Sequence, residues 1–180
     1  MIWASGWEHH HMQFSISHRG ECIKYYLYLQ LLTTGCSSAR PLDMDIHLQG
    51  FTIPHFPSLT ITMSKPAYLA IVEYSPTKPA IVFVPSRRQC RLTVDNLLTH
   101  CAADDNPNRF LNIEEADLQP HLDHLTDPGL TRTETLKHGI GYYHEALGKQ
   151  DKRIVERLFE SGAIQVLVVS KVCIHPTFYL

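Results

Sequence analysis

Lys78-Pro79-Ala80-Ile81-Val82-Phe83-Val84-Pro85-Ser86-Arg87-Arg88-Gln89 is the stretch on which the fold turns. Residues 80–84 form an unbroken apolar run fenced by two prolines, too short for a helix and without the alternation of a half-wet strand. Such a run reads as a strand covered on both faces, the kind that parallel sheets use. Ser86 follows as the cap of a helix, and Cys90, Leu92, Val94, Leu97 and Leu98 supply its apolar positions until the pattern fades near Ala102.

Working outward, the same grammar repeats. Gly139-Ile140-Gly141-Tyr142-Tyr143 reads as a strand, and residues 149–161 as a helix with Ile154, Val155, Leu158 and Phe159 on one stripe and Gly162 as its stop. Residues 164–169 are a second strand of the fully buried type. Upstream, Met44, Ile46 and Leu48 alternate with polar residues over 43–50, the mark of a half-buried strand. Ser64-Lys65-Pro66 reads as a helix opening, with Tyr68, Ile71 and Val72 inward up to Ser75. Between the two repeats lie a polar loop at 104–108 and helical patterns at 113–125, despite Pro120, and around 130–137. Strands alternating with helices predict an α/β fold, with strands near 80–84, 139–143 and 164–169 side by side in one largely parallel sheet.

Residues 1–39 have a different texture. Trp3, Trp7, the triplet His9-His10-His11 and an aromatic-rich stretch at 25–28 show no sustained period, which predicts an irregular tail. The triplet reads as solvated side chains rather than a metal site, because adjacent residues point in different directions and no further ligand has a recognisable spacing. The chain has 180 residues, 44% of them apolar and 19% charged, with 16 Lys and Arg against 18 Asp and Glu. A packed core is therefore affordable, and any nucleic-acid contact must come from a local patch rather than a global basic field. Five scattered cysteines, Cys22, Cys36, Cys90, Cys101 and Cys173, contain no C-x-x-C, so neither a thiolate metal site nor a disulfide framework is encoded. The apolar stretch 22–32 is about half a bilayer crossing and is interrupted by Lys24 and Gln30, so no membrane partner is expected.

Three catalytic motifs fail on spacing. Lys149 is followed by Gln150, and the earlier glycine of a phosphate loop would fall at Tyr143. The second histidine of a zinc-protease motif beginning at His144 would fall at Gly148, and no G-x-S-x-G elbow is present. No catalytic residue is assigned. What remains is polar residues following strands, where open α/β sheets bind ligands. Ser86, Arg87 and Arg88 follow the strand at 80–84, and His144-Glu145 follows the strand at 139–143. Free N–H groups at a helix start with two arginines beside them suit an anion such as a phosphodiester, although the same residues also make an ordinary cap and solvated first turn.

Residues 40–171 resemble the second RecA-like lobe of the large spliceosomal RNA helicases of the U-five particle, tandem-cassette enzymes of superfamily two. The resemblance is carried by residues 78–89 quoted above, by Thr99-His-Cys-Ala-Ala-Asp104, by Gly139-Ile-Gly-Tyr-Tyr-His-Glu145, and by residues 153–168. It implies an incomplete RecA-like lobe in which Ser86, Arg87 and Arg88 look like helicase motif IV. His144 would belong to a loop on the RNA backbone, and residues 165–171 to the opening of motif V. Tyr143-His144-Glu145-Ala146-Leu147 resembles the C-terminal cassette, a degenerate, regulatory and partner-binding copy. The resemblance further implies RNA partners (small nuclear RNA or pre-mRNA), spliceosomal protein partners, a first RecA-like lobe as companion, a nuclear location, and ATP with magnesium in the full-length family member. It does not extend to residues 1–39 or 172–180, and the Walker A loop, the acidic box and the arginine of motif VI have no counterpart, so no cofactor or ATP turnover is expected of this chain alone. A non-enzymatic interaction module in the spliceosome is the alternative, favoured by Glu145 and by the acidic segment Glu114, Glu115, Asp117, Asp123 and Asp127.

Overall fold

The computed structural model describes residues 2–5, 10–16, 44–53, 55–128, 130 and 135–170. In chain order the strands are β1 (Ile2–Ser5), β2 (His10–Ile16), β3 (Met44–Gly50), β4 (Ala80–Val84), β5 (Ile140–Tyr143) and β6 (Val166–Ser170). The helices are α1 (Phe56–Tyr74), α2 (Arg87–Ala103), α3 (Glu115–Leu122) and α4 (Lys149–Glu160), with a 3-10 turn at Thr135–His138. The strands lie in the order β3-β2-β1-β4-β6-β5.

The three strands expected to be neighbours are neighbours, and all parallel: β6 pairs with β4 through Ala80↔Val166 to Val84↔Ser170, and with β5 through Ile140↔Val166 to Tyr143↔Val169. Every residue of β5 and β6 is buried. Their side chains divide by the two-residue strand period. Gly141 and Tyr143 face α4: a Cβ on Gly141 would meet Val155, and the Tyr143 hydroxyl donates to Glu156 at 2.8 Å. Tyr142 faces the opposite side, where Arg91 of α2 lies 5.9 Å from its ring centroid. The core is thus a parallel sheet with α2 on one face and α4 on the other, which is why these strands carry no polar alternation.

The stretch read as an irregular tail contributes two strands. β1 runs antiparallel to β4, with Trp3 opposite Val82, and β2 pairs antiparallel with β1 and parallel with β3. Periodicity gave no sign of them. β1 is seated on the edge of β4, whose open row of N–H and C=O groups accepts any extended segment brought alongside, and β2 lies between β1 and β3. The other residues of 1–39, residues 172–180 and residues 131–134 of the helical pattern at 130–137 lie outside the described residues, as do the side chains of the histidine triplet.

One boundary moves substantially. Ser64 does not open a helix: α1 begins at Phe56, with His55 as cap residue, and Pro66 sits inside it. Leu59 and Met63 are buried like Tyr68, Ala70 and Ile71, so the inward stripe extends two turns earlier than the proline suggests. Ser64 is an interior residue whose hydroxyl donates to the Ile61 carbonyl at 2.6 Å and lies 3.2 Å from His100 Nε2. Packing of the stripe against α2 overrides a local proline penalty of about 3 kcal/mol. Among the described residues no helix is long and apolar enough to cross a membrane.

Candidate nucleic-acid interface

The ends of β4 and β5 open into one cavity. Val84 and Pro85 lead into Ser86, whose extended backbone precedes α2; the N–H groups of Gln89 and Cys90 return to the Ser86 carbonyl at 3.0 and 3.1 Å. Ser86 occupies the cap position without performing the capping bond, its hydroxyl lying 3.4 Å from the Gln89 side-chain oxygen instead. At the end of β5 the chain turns sharply, Leu147 N–H donating to the His144 carbonyl at 3.2 Å.

Between these turns is a cavity of about 560 Å³ lined by Arg87, Arg88, Arg91, Leu92, Asp127, His144 and Ala146. Three of the four residues singled out from sequence therefore converge on it, while Ser86 stands outside the lining. Arg87 and Arg88 are exposed, and among the described residues neither has a carboxylate within 4.0 Å. Arg91 was not singled out, although its spacing shows it: four residues after Arg87 and three after Arg88, it falls on their helix face. It is half exposed and stands 3.7 Å from Asp127.

Asp127, one of the acidic residues read as favouring an interaction surface, is turned inward instead. Its side chain is 14% exposed, and its Oδ1 accepts from the Tyr142 hydroxyl at 2.8 Å and from Leu130 N–H at 3.1 Å. Burial together with that bond pushes the Tyr142 phenol far above its ordinary value, so the tyrosine stays a donor. Asp151, 1% exposed, does related work nearby, accepting from Thr126 N–H and Oγ1 at 2.8 and 2.7 Å and so tying the segment that carries Asp127 to the start of α4.

His144 closes the inner end. It is 2% exposed, its ring stacks on Tyr142 with centroids 5.5 Å apart, and its Nδ1 is sealed without a hydrogen-bond partner. Burial is the main cause that holds its pKa below the usual imidazole value. Glu145 is exposed but does not line the cavity: its Oε2 accepts from the Ser170 hydroxyl at 3.0 Å, and hydrogen bonds to its own backbone N–H and to Ser170 keep its carboxylate ionised to lower pH than usual. Three guanidinium groups against one partly hidden carboxylate leave the lining positive, and an anion is what it can hold. No nucleophile with a base in bonding reach stands among these residues. Among the described residues no group of three or more His, Cys, Asp or Glu could hold a metal ion. An ATP–magnesium pair does not fit the site, since among the described residues the cavity offers a single carboxylate and no glycine loop.

No family model matches the chain. Curated relatives do. It is 51% identical over 134 residues to the U5 small nuclear ribonucleoprotein 200 kDa helicase of Homo sapiens, a match covering 74% of this chain and 6% of that protein. Its homology is to that helicase. The Drosophila melanogaster protein of the same name is 49% identical over the same share of each chain. The DExH-box ATP-dependent RNA helicase DExH14 of Arabidopsis thaliana is 44% identical over 73% of this chain and 6% of its own. The chain is thus similar to a small part of large RNA helicases, as a fragment would be, and spans about 6% of the length of the relatives it matches.

Proposed function

We propose that the chain is part of the second RecA-like lobe of a pre-mRNA splicing RNA helicase, most like that of the C-terminal cassette, and that it grips the RNA backbone without performing chemistry. One observation carries this: Arg87, Arg88 and His144, separated by more than fifty residues of sequence, line a single positive cavity at the carboxyl ends of parallel strands. Phosphate contacts position a nucleic acid without reading its bases, so binding would be sequence-tolerant. Ser86 serves by placing the first turn of α2. The partners that follow are small nuclear RNA or pre-mRNA, spliceosomal proteins and the first RecA-like lobe, and the location is nuclear.

The test is RNA affinity of the 180-residue chain for labelled single-stranded oligonucleotides at several salt concentrations. Replacing Arg87 and Arg88 together by alanine is expected to weaken binding about tenfold at low salt, equally for different sequences, and to reduce the salt slope by about 1.4, two contacts at roughly 0.7 each. Unchanged affinity and slope would remove the assignment.

ATP and magnesium belong to the full-length helicase. Phosphoryl transfer needs a phosphate-cradling loop with its lysine, an acidic metal ligand and an arginine placed together, and these 180 residues supply none of the three motifs. Lys149 lies in no glycine-bordered loop. The purified chain is expected to show no RNA-stimulated ATP hydrolysis above background; turnover that vanished on changing one of its residues would refute this.

The alternative, a protein-interaction module, draws support from Ile61 and Leu69. They are exposed at 62% and 50% on α1, eight residues apart and so on one side of the helix. Loss of RNA binding with retained capture of spliceosomal proteins would favour it.

A further inference from the structure

Among the described residues His144 Nδ1 has no hydrogen-bond partner, and it has no access to solvent. Leaving a buried polar atom unsatisfied costs about 1–3 kcal/mol, so a neutral ring is held here at a disadvantage unless something else completes the site. The groups around it pull in both directions. From its own turn Glu145, and from the segment before the 3-10 turn Asp127, favour the imidazolium; from α2, Arg87 and Arg91 oppose it, and Tyr142 of β5 stacks on the ring as a neutral phenol. Arg88 lines the same cavity, and Cys90 of α2 is turned to the Tyr143 carbonyl at 3.9 Å. The carboxylates offset the arginines, so burial is the main cause that separates the two forms of the ring.

A phosphate oxygen entering the cavity adds to the charges that favour the imidazolium and works against the cost of burial. It neutralises the guanidinium field that opposes a charged ring, and it supplies a negative charge close to the ring itself. We propose that binding of the phosphodiester backbone of single-stranded RNA at this cavity is coupled to uptake of one proton by His144, so that acidification tightens the grip. The proposal rests on the RNA-backbone reading above and adds to it a protonation step with a defined residue.

The sign follows from linkage. A ring that gains proton affinity when the anion binds makes the complex take up protons, so affinity rises as pH falls between the bound and the free value. Folding runs the other way. The lowered pKa of His144 in the folded chain means its contribution to stability is present above the ordinary imidazole value of about 6.5 and is lost as pH falls below it. Tighter RNA binding together with a less stable free chain is a combination that general charge attraction does not produce at one residue.

The probe is a fluorescein-labelled oligouridylate, read by anisotropy with the full chain between about pH 8 and about pH 6, where one coupled proton changes affinity by at most about tenfold per unit. Other histidines add a background slope, so the readout is the difference between the wild type and His144→Gln. The wild type is expected to gain about tenfold more affinity across the range than the variant. An NMR titration of the His144 ring C–H in the wild type, with and without oligouridylate, keeps the proposal testable if the variant folds poorly; RNA is expected to move the midpoint up. Equal pH slopes in the two chains, or an imidazole midpoint that RNA leaves in place, overturns the proposal while the RNA reading stands. No binding at any pH overturns both.

Discussion

Gly139→Ala is expected to lose most of the stability of the fold. The residue has φ of +77°, and a Cβ there would lie 1.9 Å from the carbonyl carbon and oxygen of Phe110 and 2.2 Å from Leu111 N. Those are backbone atoms that cannot rotate away. They are also pinned: Gln165 N–H donates to Phe110 O at 3.0 Å and to Gly139 O at 3.2 Å, and Leu111 bridges to Ile164. Opening a gap for one methyl would separate β5 from the segment that seats β6. The left-handed conformation alone costs a non-glycine residue about 1–2 kcal/mol, and overpacking about 1–3 kcal/mol or more. Together these are comparable to the whole stability of a marginal domain, about 5 kcal/mol. Gly162→Ala is the matched control, since φ is +75° there with open space around the added atom, so only the conformational cost applies. Urea unfolding followed by circular dichroism should place Gly139→Ala far below Gly162→Ala; equal midpoints would show that the 110–111 crossing is not tight.

The parallel core was legible because its signal is local. Residues 80–84 and 166–169 are apolar without alternation since both faces are covered, and a short prolonged run of that kind has few other readings. The start of α1 was not legible, because Pro66 resembles a first-turn residue while the feature that decides the matter, the burial of Leu59 and Met63, is a tertiary fact. Strands β1 and β2 were invisible for a related reason: β1 owes its extension to the edge of β4, and β2 to β1 and β3, rather than to a pattern of their own. At the cavity, charge and strand ends pointed to Arg87, Arg88 and His144, and helical spacing held Arg91 in plain view. Asp127 was hidden among five acidic residues. Nothing in a run of carboxylates says which one will meet a buried tyrosine fifteen residues later.

Asp127 therefore provides a test in which stability and RNA binding should move in opposite directions. Its Oδ1 accepts from the hydroxyl of Tyr142, 1% exposed, and from Leu130 N–H, while the carboxylate faces Arg91. Asp127→Ala leaves both donors without that acceptor, and each unsatisfied buried group costs about 1–3 kcal/mol, so a loss of about 2–6 kcal/mol is expected in denaturant unfolding. Among the described residues the same change removes the only carboxylate in the lining and takes away the one that stands 3.7 Å from Arg91. Whatever fraction stays folded should bind single-stranded RNA several-fold more tightly at low salt, because the attraction of a phosphate to the arginines is no longer opposed at close range. Asp127→Asn separates the two effects. Its amide oxygen can still accept from Tyr142 and Leu130, so most of the stability should return, while the charge stays absent and the gain in affinity remains. An Asp127→Ala midpoint equal to that of the wild type would show that the Tyr142 and Leu130 bonds do not hold the cavity together. An Asp127→Asn chain that binds RNA no better than the wild type would show that the backbone of the RNA does not pass through it.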